Sequence, residues 1–133
     1  MAATSDQFTL SRSGAEYGYP VKGATRIFAR TLVALTSAGL AVPAGTAGAV
    51  KIAGLSLHHA DNRDGADAGG IVRTERGTYA LSFDVAPTAA NLRAAVYAVD
   101  DVTVSLDSSS GARLQVGTLD GIEAGTPWTR VSS

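Results

Sequence analysis

Short stretches of alternating apolar and polar residues, broken by turn residues, run through most of this chain. The pattern is plainest from Ala94 to Val131. There Val102, Val104 and Leu106 fall on one side of an extended chain and Thr103, Ser105 and Asp107 on the other, the period-2 mark of a half-buried strand. Asp100-Asp101 turns the chain into that strand. Asp107 to Gly111 turns it out again into Ala112 to Leu119, and Gly121 to Pro127 leads to a last strand at Trp128 to Val131. Thr78 to Val85 alternates as cleanly, with Tyr79, Leu81, Phe83 and Val85 on the core side. With Ile71 to Arg76 and a turn at Gly77, it predicts a hairpin.

The first half of the chain is less regular. Tyr19 to Lys22 predicts a short edge strand, because Pro20 has no N–H to give to a ladder. Ile27 to Thr36 reads as one strand with apolar residues on both faces, hence buried on one side and covered on the other. Its β-branched residues and the Ser37-Ala38-Gly39 turn favour a strand over a helix. Gly39 to Val42 is a short return and Pro43 to Gly48 a loop. In Ala49 to Leu57, Val50 and Ile52 share one phase and Leu55 and Leu57 the other. A bulge at Gly54 would bring all four to one side. Pro87 to Ala95 is the one helical stretch, with Thr88 as its cap. Met1 to Gly18 lacks periodicity and reads as an extended arm. The expected fold is all-β, mainly antiparallel: a small β-barrel or β-sandwich. It comprises an arm over residues 1–18, a single β domain over 19–133 and one short helix near 87–95.

Composition narrows the class. A chain of 133 residues fits one core. With no cysteine there is neither a disulfide framework nor thiol chemistry. A formal net charge of −1 supplies no basic excess to neutralise phosphates, so nucleic acid is not an expected partner. Charged residues make up 17% against roughly 25% in an average domain, which suits a surface that a partner protein covers. Arg26 and Arg30 followed by Thr31 to Val42 imitate a secretory leader. The stretch starts 25 residues in and Ser37 and Gly39 interrupt it, so secretion is not expected, and the run is too short and broken to span a bilayer.

Candidate chemistry is confined to His58 to Gly70, HHADNRDGADAGG, which holds three carboxylates, one Asn and both histidines. Counting from Asp61, the third position is Arg63 and the fifth Gly65, which breaks the alternate oxygen ligands of a calcium loop. Adjacent histidines on a strand face opposite ways and do not clasp one zinc. A connecting loop, or a loop placed at an interface, is the expectation. No catalytic, metal or cofactor residue is assigned.

The order of motifs resembles the capsid decoration, or cement, proteins of tailed bacteriophages. The likeness is carried by Tyr17 to Val21 (YGYPV), Ile27 to Val33 (IFARTLV), Gly39 to Ala44 (GLAVPA), Ala53 to Leu57 (AGLSL), Asp61-Asn62 with Gly69, Val72 to Gly77, Val96 to Val104 (VYAVDDVTV), Val116-Gly117 and Trp128 to Val131. Arg30, where the family has a small residue, and His58-His59 depart from it. The resemblance implies a non-enzymatic virion protein that binds the outside of an icosahedral shell, across junctions between major capsid protein subunits. It also implies a β-barrel or β-sandwich that is commonly a trimer, with no membrane partner. The residues expected to meet the shell or a neighbouring subunit are Phe8, Leu10, Arg12, Tyr17, Tyr19, His59, Asp61 and Asn62. The competing readings are a tail-tube or baseplate component, a carbohydrate-binding module stacking sugars on Trp128, Tyr97 or Tyr79, and a metal-dependent hydrolase using His58, His59, Asp61, Asp64 and Asp67.

Overall fold

A computed structural model describes residues 2, 4–7 and 15–132. These residues are nearly all β, and among them no sheet closes into a barrel; the arrangement is that of a β-sandwich. Among the described residues thirteen strands form three sheets. The five-stranded sheet joins β1 (Glu16–Pro20), β7 (Ile71–Glu75), β5 (Ala49–Ser56), β3 (Leu32–Thr36) and β4 (Ala41–Pro43), in that order. The six-stranded sheet runs β8 (Thr78–Tyr79), β13 (Thr126–Val131), β12 (Gln115–Glu123), β10 (Ala95–Ala98), β11 (Thr103–Ser105) and β9 (Ser82–Phe83). A two-stranded ribbon pairs β2 (Thr25–Ile27) with β6 (Ala60–Asn62). All ladders are antiparallel except β9 with β11.

The five-stranded sheet is the middle layer, which explains why its strands are apolar on both faces. Leu32 and Ala34 of β3, Val42 of β4, and Ile52 and Leu55 of β5 meet Val96, Ala98, Val104, Val116, Leu119 and Val131 of the six-stranded sheet in one core. The opposite side chains, Val33, Ala41, Ala53 and Val72, form a second core with Val21, Ile27 and Ala60. The ribbon closes that second core, and Val21 makes a single parallel bridge to Ala41 of β4, so the middle sheet curls towards itself. Each fully buried Val, Leu or Ile contributes about 1.5–3 kcal/mol, so the two cores together hold the three layers as one body.

Several local expectations hold. The register of β3 against β5 steps from Gly54 to Ile52, skipping Ala53, and Gly54 has a φ of 153°. The bulge brings Ile52 and Leu55 into the same core, whereas Leu57, just beyond the end of β5, is half-buried and joins neither core. Asp100 Oδ1 accepts the N–H groups of Val102 (2.9 Å) and Thr103 (2.8 Å), which makes the turn into β11. Pro20 lies in an edge strand.

Other expectations need correction. Ile27 to Thr36 is two strands, because Arg30 adopts a left-handed backbone (φ 59°) and the chain crosses from the ribbon to the middle sheet there. Ile71 to Val85 is not a hairpin: β7 pairs with β1 and β5, whereas β8 pairs with β13 and β9 with β11, in the other sheet. Val50 is exposed because a second register shift, between Lys51 and Ala49, makes it the extra residue of its own bulge. Val85 lies beyond the end of β9 and is 74% exposed, and Val102 precedes β11 and is also exposed. The strand expected at Ala112 to Leu119 occupies Gln115–Glu123, and β13 starts at Thr126, joined to it by a two-residue turn. Ala124 and Gly125 both have positive φ (51° and 82°), as the primed hairpin turn requires. The expected helix shrinks to one 3-10 turn at Ala89–Asn91. The Thr88 N–H is held by Asn91 Oδ1 at 2.8 Å. Residues 16–18 of the expected arm belong to β1, and the His58 to Gly70 stretch contains β6.

Candidate interaction surface

The ribbon presents one face to the second core and the other to solvent, because side chains alternate along a strand. Ile27 and Ala60 are partners in register and both are buried. Their neighbours Arg26, Phe28, His59 and Asp61 therefore project outward. Phe28 is 52% exposed. Its ring stacks on His59, with centroids 5.7 Å apart and planes 18° apart. The Arg26 guanidinium lies 4.5 Å from the centre of the same ring, and its Nε–H donates to His59 Nε2 at 2.8 Å. His59 is therefore the tautomer that carries its proton on Nδ1.

What fixes this plate is the turn that follows it. Ser56 is fully buried, and its hydroxyl donates to the Phe28 carbonyl at 2.6 Å while accepting the Thr31 N–H at 3.0 Å. The Thr31 hydroxyl donates to the same carbonyl at 2.8 Å, and the Arg30 N–H donates to the Ser56 carbonyl at 2.9 Å. An exposed aromatic residue is thus mounted on a turn with little freedom, the arrangement of an interface anchor.

Asp61 stands opposite Arg26 in the ladder but is held by Arg63. Nε of Arg63 donates to Oδ1 at 2.9 Å, Nη2 to Oδ2 at 2.8 Å, and its backbone N–H to Oδ1 at 3.1 Å. These hydrogen bonds, with the positive charges of Arg63 and Arg26, lower the Asp61 carboxyl from 3.8 to about 2. The folded value lies below the unfolded one, so the pair supports the loop above the ordinary carboxylate range and is lost as pH falls towards 2. Solvent around this exposed pair screens the effect. Following the Asp61 carboxyl carbon by NMR should give a midpoint near 2, rising towards 3.8 in Arg63→Ala; an unchanged midpoint would show that Arg63 is not the cause.

The other expected contact residues fall in different places. Phe8, Leu10 and Arg12 lie outside the described residues. Asn62 is 6% exposed, which removes it from any contact surface; its Nδ2 donates inward to the carbonyls of Val21 (3.2 Å), Lys22 (3.2 Å) and Ala66 (2.8 Å). Tyr19 packs against the second core, and Tyr17 sits 6.4 Å from it with the Arg76 guanidinium 4.9 Å from its ring. Both tyrosines lie on β1, at the outer edge of the middle sheet. The Val21 N–H bonds Gly70 and the Arg76 N–H bonds Ala15, so odd-numbered residues of β1 face β7 and the N–H and C=O groups of Glu16 and Gly18 point to the open edge. The exposure of Phe28 was not legible, because the apolar run from Ile27 to Thr36 suggested a buried strand.

The groups required by a hydrolase are dispersed. His58 Nε2 accepts the Arg73 N–H at 3.1 Å, His59 faces Phe28, Asp61 grips Arg63, and Asp67 Oδ1 accepts the Gly23 N–H at 2.9 Å. Among the described residues no three His, Asp or Glu side chains gather to hold a metal. The proposed sugar platforms are partly committed too. Tyr79 packs against the first core, donates to Glu75 Oε1 at 2.6 Å, and has its phenol pushed up by burial and then by Glu75. Trp128 and Tyr97 are half-buried. Among the described residues no helix is long and apolar enough to cross a membrane. Compared with protein-family models, with curated proteins and with solved structures, the chain matches none.

Proposed function

We propose that this protein is a capsid decoration protein of a tailed phage. In this reading it binds the outside of an icosahedral shell across junctions between major capsid protein subunits, as a homo-trimer, and braces the shell. The observation that carries the reading is the rigid, solvent-facing plate of Arg26, Phe28 and His59 on a three-layer β body. In this reading the plate is the binding feature, in a chain whose motif order from Tyr17 to Val131 resembles this family. The outer edge of β1 offers a second contact by strand addition. Many copies on a repeating lattice act together, so each contact can be modest.

The test is binding of the purified protein to expanded, undecorated shells, with copy number read from the shells themselves. Saturation at a fixed number of copies per shell face is the expected result, and attachment along tails instead would overturn it. In the same assay Phe28→Ala should lower shell affinity by roughly tenfold or more, as loss of an aromatic anchor does. Its thermal midpoint should stay unchanged, since Phe28 lies outside both cores.

A further inference from the structure

We propose that the Arg26–Phe28–His59 plate is a receptor for a protein carboxylate that has an apolar or aromatic group beside it, as an Asp or Glu side chain next to an aromatic residue presents. This inference rests on the reading of the plate as a contact surface, and it names the chemistry the surface accepts.

Hydrogen-bond donors outnumber acceptors at the plate. Arg26 uses only Nε within the protein, and its two terminal amino groups have no partner among the described residues. His59 accepts through Nε2, so its Nδ1–H is a further unpaired donor. The one carboxylate across the ladder, Asp61, is already gripped through both oxygens by Arg63. An anion fits what remains.

Geometry selects the kind of anion. The terminal nitrogens of a guanidinium match the two oxygens of a carboxylate in one plane. Arg26 is held in place by His59 and Phe28, so little side-chain freedom is lost on binding. The half-exposed Phe28 ring beside that fork rewards a ligand with an apolar body next to its charge. A nucleic-acid backbone would bring a row of charges to a chain whose formal net charge is −1, with Asp61 and Asp64 close by in sequence. The carboxylate of a protein brings one.

The test uses the whole protein and three small probes, followed by NMR at the Arg26 Nε–H and at the Phe28 and His59 rings. Benzoate carries both the carboxylate and the ring, acetate the carboxylate alone, and inorganic phosphate a different anion. Benzoate should give saturable shifts at these three residues, and acetate should bind roughly fivefold more weakly, the worth of one aromatic contact. Arg26→Ala should weaken benzoate roughly tenfold or more, the loss of a charge-assisted pair. Phe28→Ala should reduce benzoate to the level of acetate, and Arg113→Ala should change nothing. The backbone amide spectrum reports whether each variant is folded, and either plate variant alone suffices for the test. Absence of saturation, equal binding of phosphate that survives Phe28→Ala, or equal sensitivity to Arg113→Ala would overturn the proposal. Shell binding is measured separately, so failure with these probes leaves decoration standing, and failure on shells leaves carboxylate recognition standing.

Discussion

Gly117→Ala is expected to cost roughly 3–5 kcal/mol, as forced overpacking beside rigid backbone does. Gly117 lies in β12 between Val96 of β10 and Val131 of β13 and is buried. A methyl group there would overlap the Arg130 carbonyl oxygen and press on its carbonyl carbon, and would lie 3.2 Å from the Ser132 nitrogen. All three are backbone atoms, so no side chain can swing aside. Relief requires moving β13 away from β12, and β13 carries Val131 into the first core. The comparison is Gly121→Ala, four residues on in the same strand, where nothing lies within 4 Å of the added methyl. Denaturant unfolding should separate the two, with the Gly121 variant within about 0.5 kcal/mol of the parent. A Gly117 variant of equal stability would show that β12 and β13 are not paired in this register.

The second large effect is expected at Asn62. The sequence around it is polar and rich in Gly and Asp, the marks of a solvated loop. Yet that loop is wrapped around the Asn62 amide. Three carbonyls converge on Nδ2, and Gly65 and Gly69 close on Oδ1 so tightly that a methyl at Gly65 would overlap it and one at Gly69 would come within 2.7 Å. Asn62→Asp keeps the shape and replaces the shared donor with an oxygen that faces three others. Its cost should be about 3 kcal/mol or more, beyond that of Asn62→Ala, which leaves the carbonyls unpaired without repulsion. The pH dependence has a definite sign. The carbonyls favour the protonated acid in the folded state, so the folded protein binds the proton more tightly than the unfolded chain, and the variant loses stability as pH rises through the carboxyl range. Urea titrations at several pH values check this. A cost below about 1 kcal/mol at neutral pH would mean that the loop is not built on this residue.

The strand content of this protein was legible because its signals are local. The break in phase across Ala49 to Leu57 reports the Gly54 bulge, and Asp100 reports the turn before β11. What was not legible depends on which sheet a strand joins. Nothing in Thr74 to Tyr79 says that β7 and β8 part into different layers, since Gly77 would serve a hairpin equally well. The left-handed turn at Arg30 was hidden for a similar reason. No Gly or Asn marks it, and it persists because buried Ser56 supplies the hydrogen bonds that hold it. Hence Phe28 looked like an interior residue, although it is the most prominent aromatic residue of the candidate surface. The exposure of His59 and Asp61 was legible from their polarity, whereas the burial of Asn62, equally polar, was not, because burial of a single amide leaves no trace in composition. Val85 and Val102 show the limit of periodicity: each extends an alternating pattern beyond its strand, Val85 after the end of β9 and Val102 before the start of β11.

The pairing order of the sheets bears on how the chain emerges during synthesis. The Arg73 side chain reaches Glu16 across 57 residues, and the ladder that joins them can close only once β7 has been made. At roughly 5–20 residues per second, β1 waits about 3–12 s on the ribosome with both edges open. The six-stranded sheet waits longer, because its strand β8 pairs with β13, the last strand of all. The buried residues of the second core all lie between Val21 and Val72, so that core can close once β7 is out, whereas the first core draws on Val131. A ribosome stalled before Thr126 would hold the ribbon, the middle sheet and the paired strands β9 to β12, with β8 lacking its partner and Val131 missing from the first core, a target for chaperone capture or aggregation, and the full sandwich forms only after the final hairpin is released.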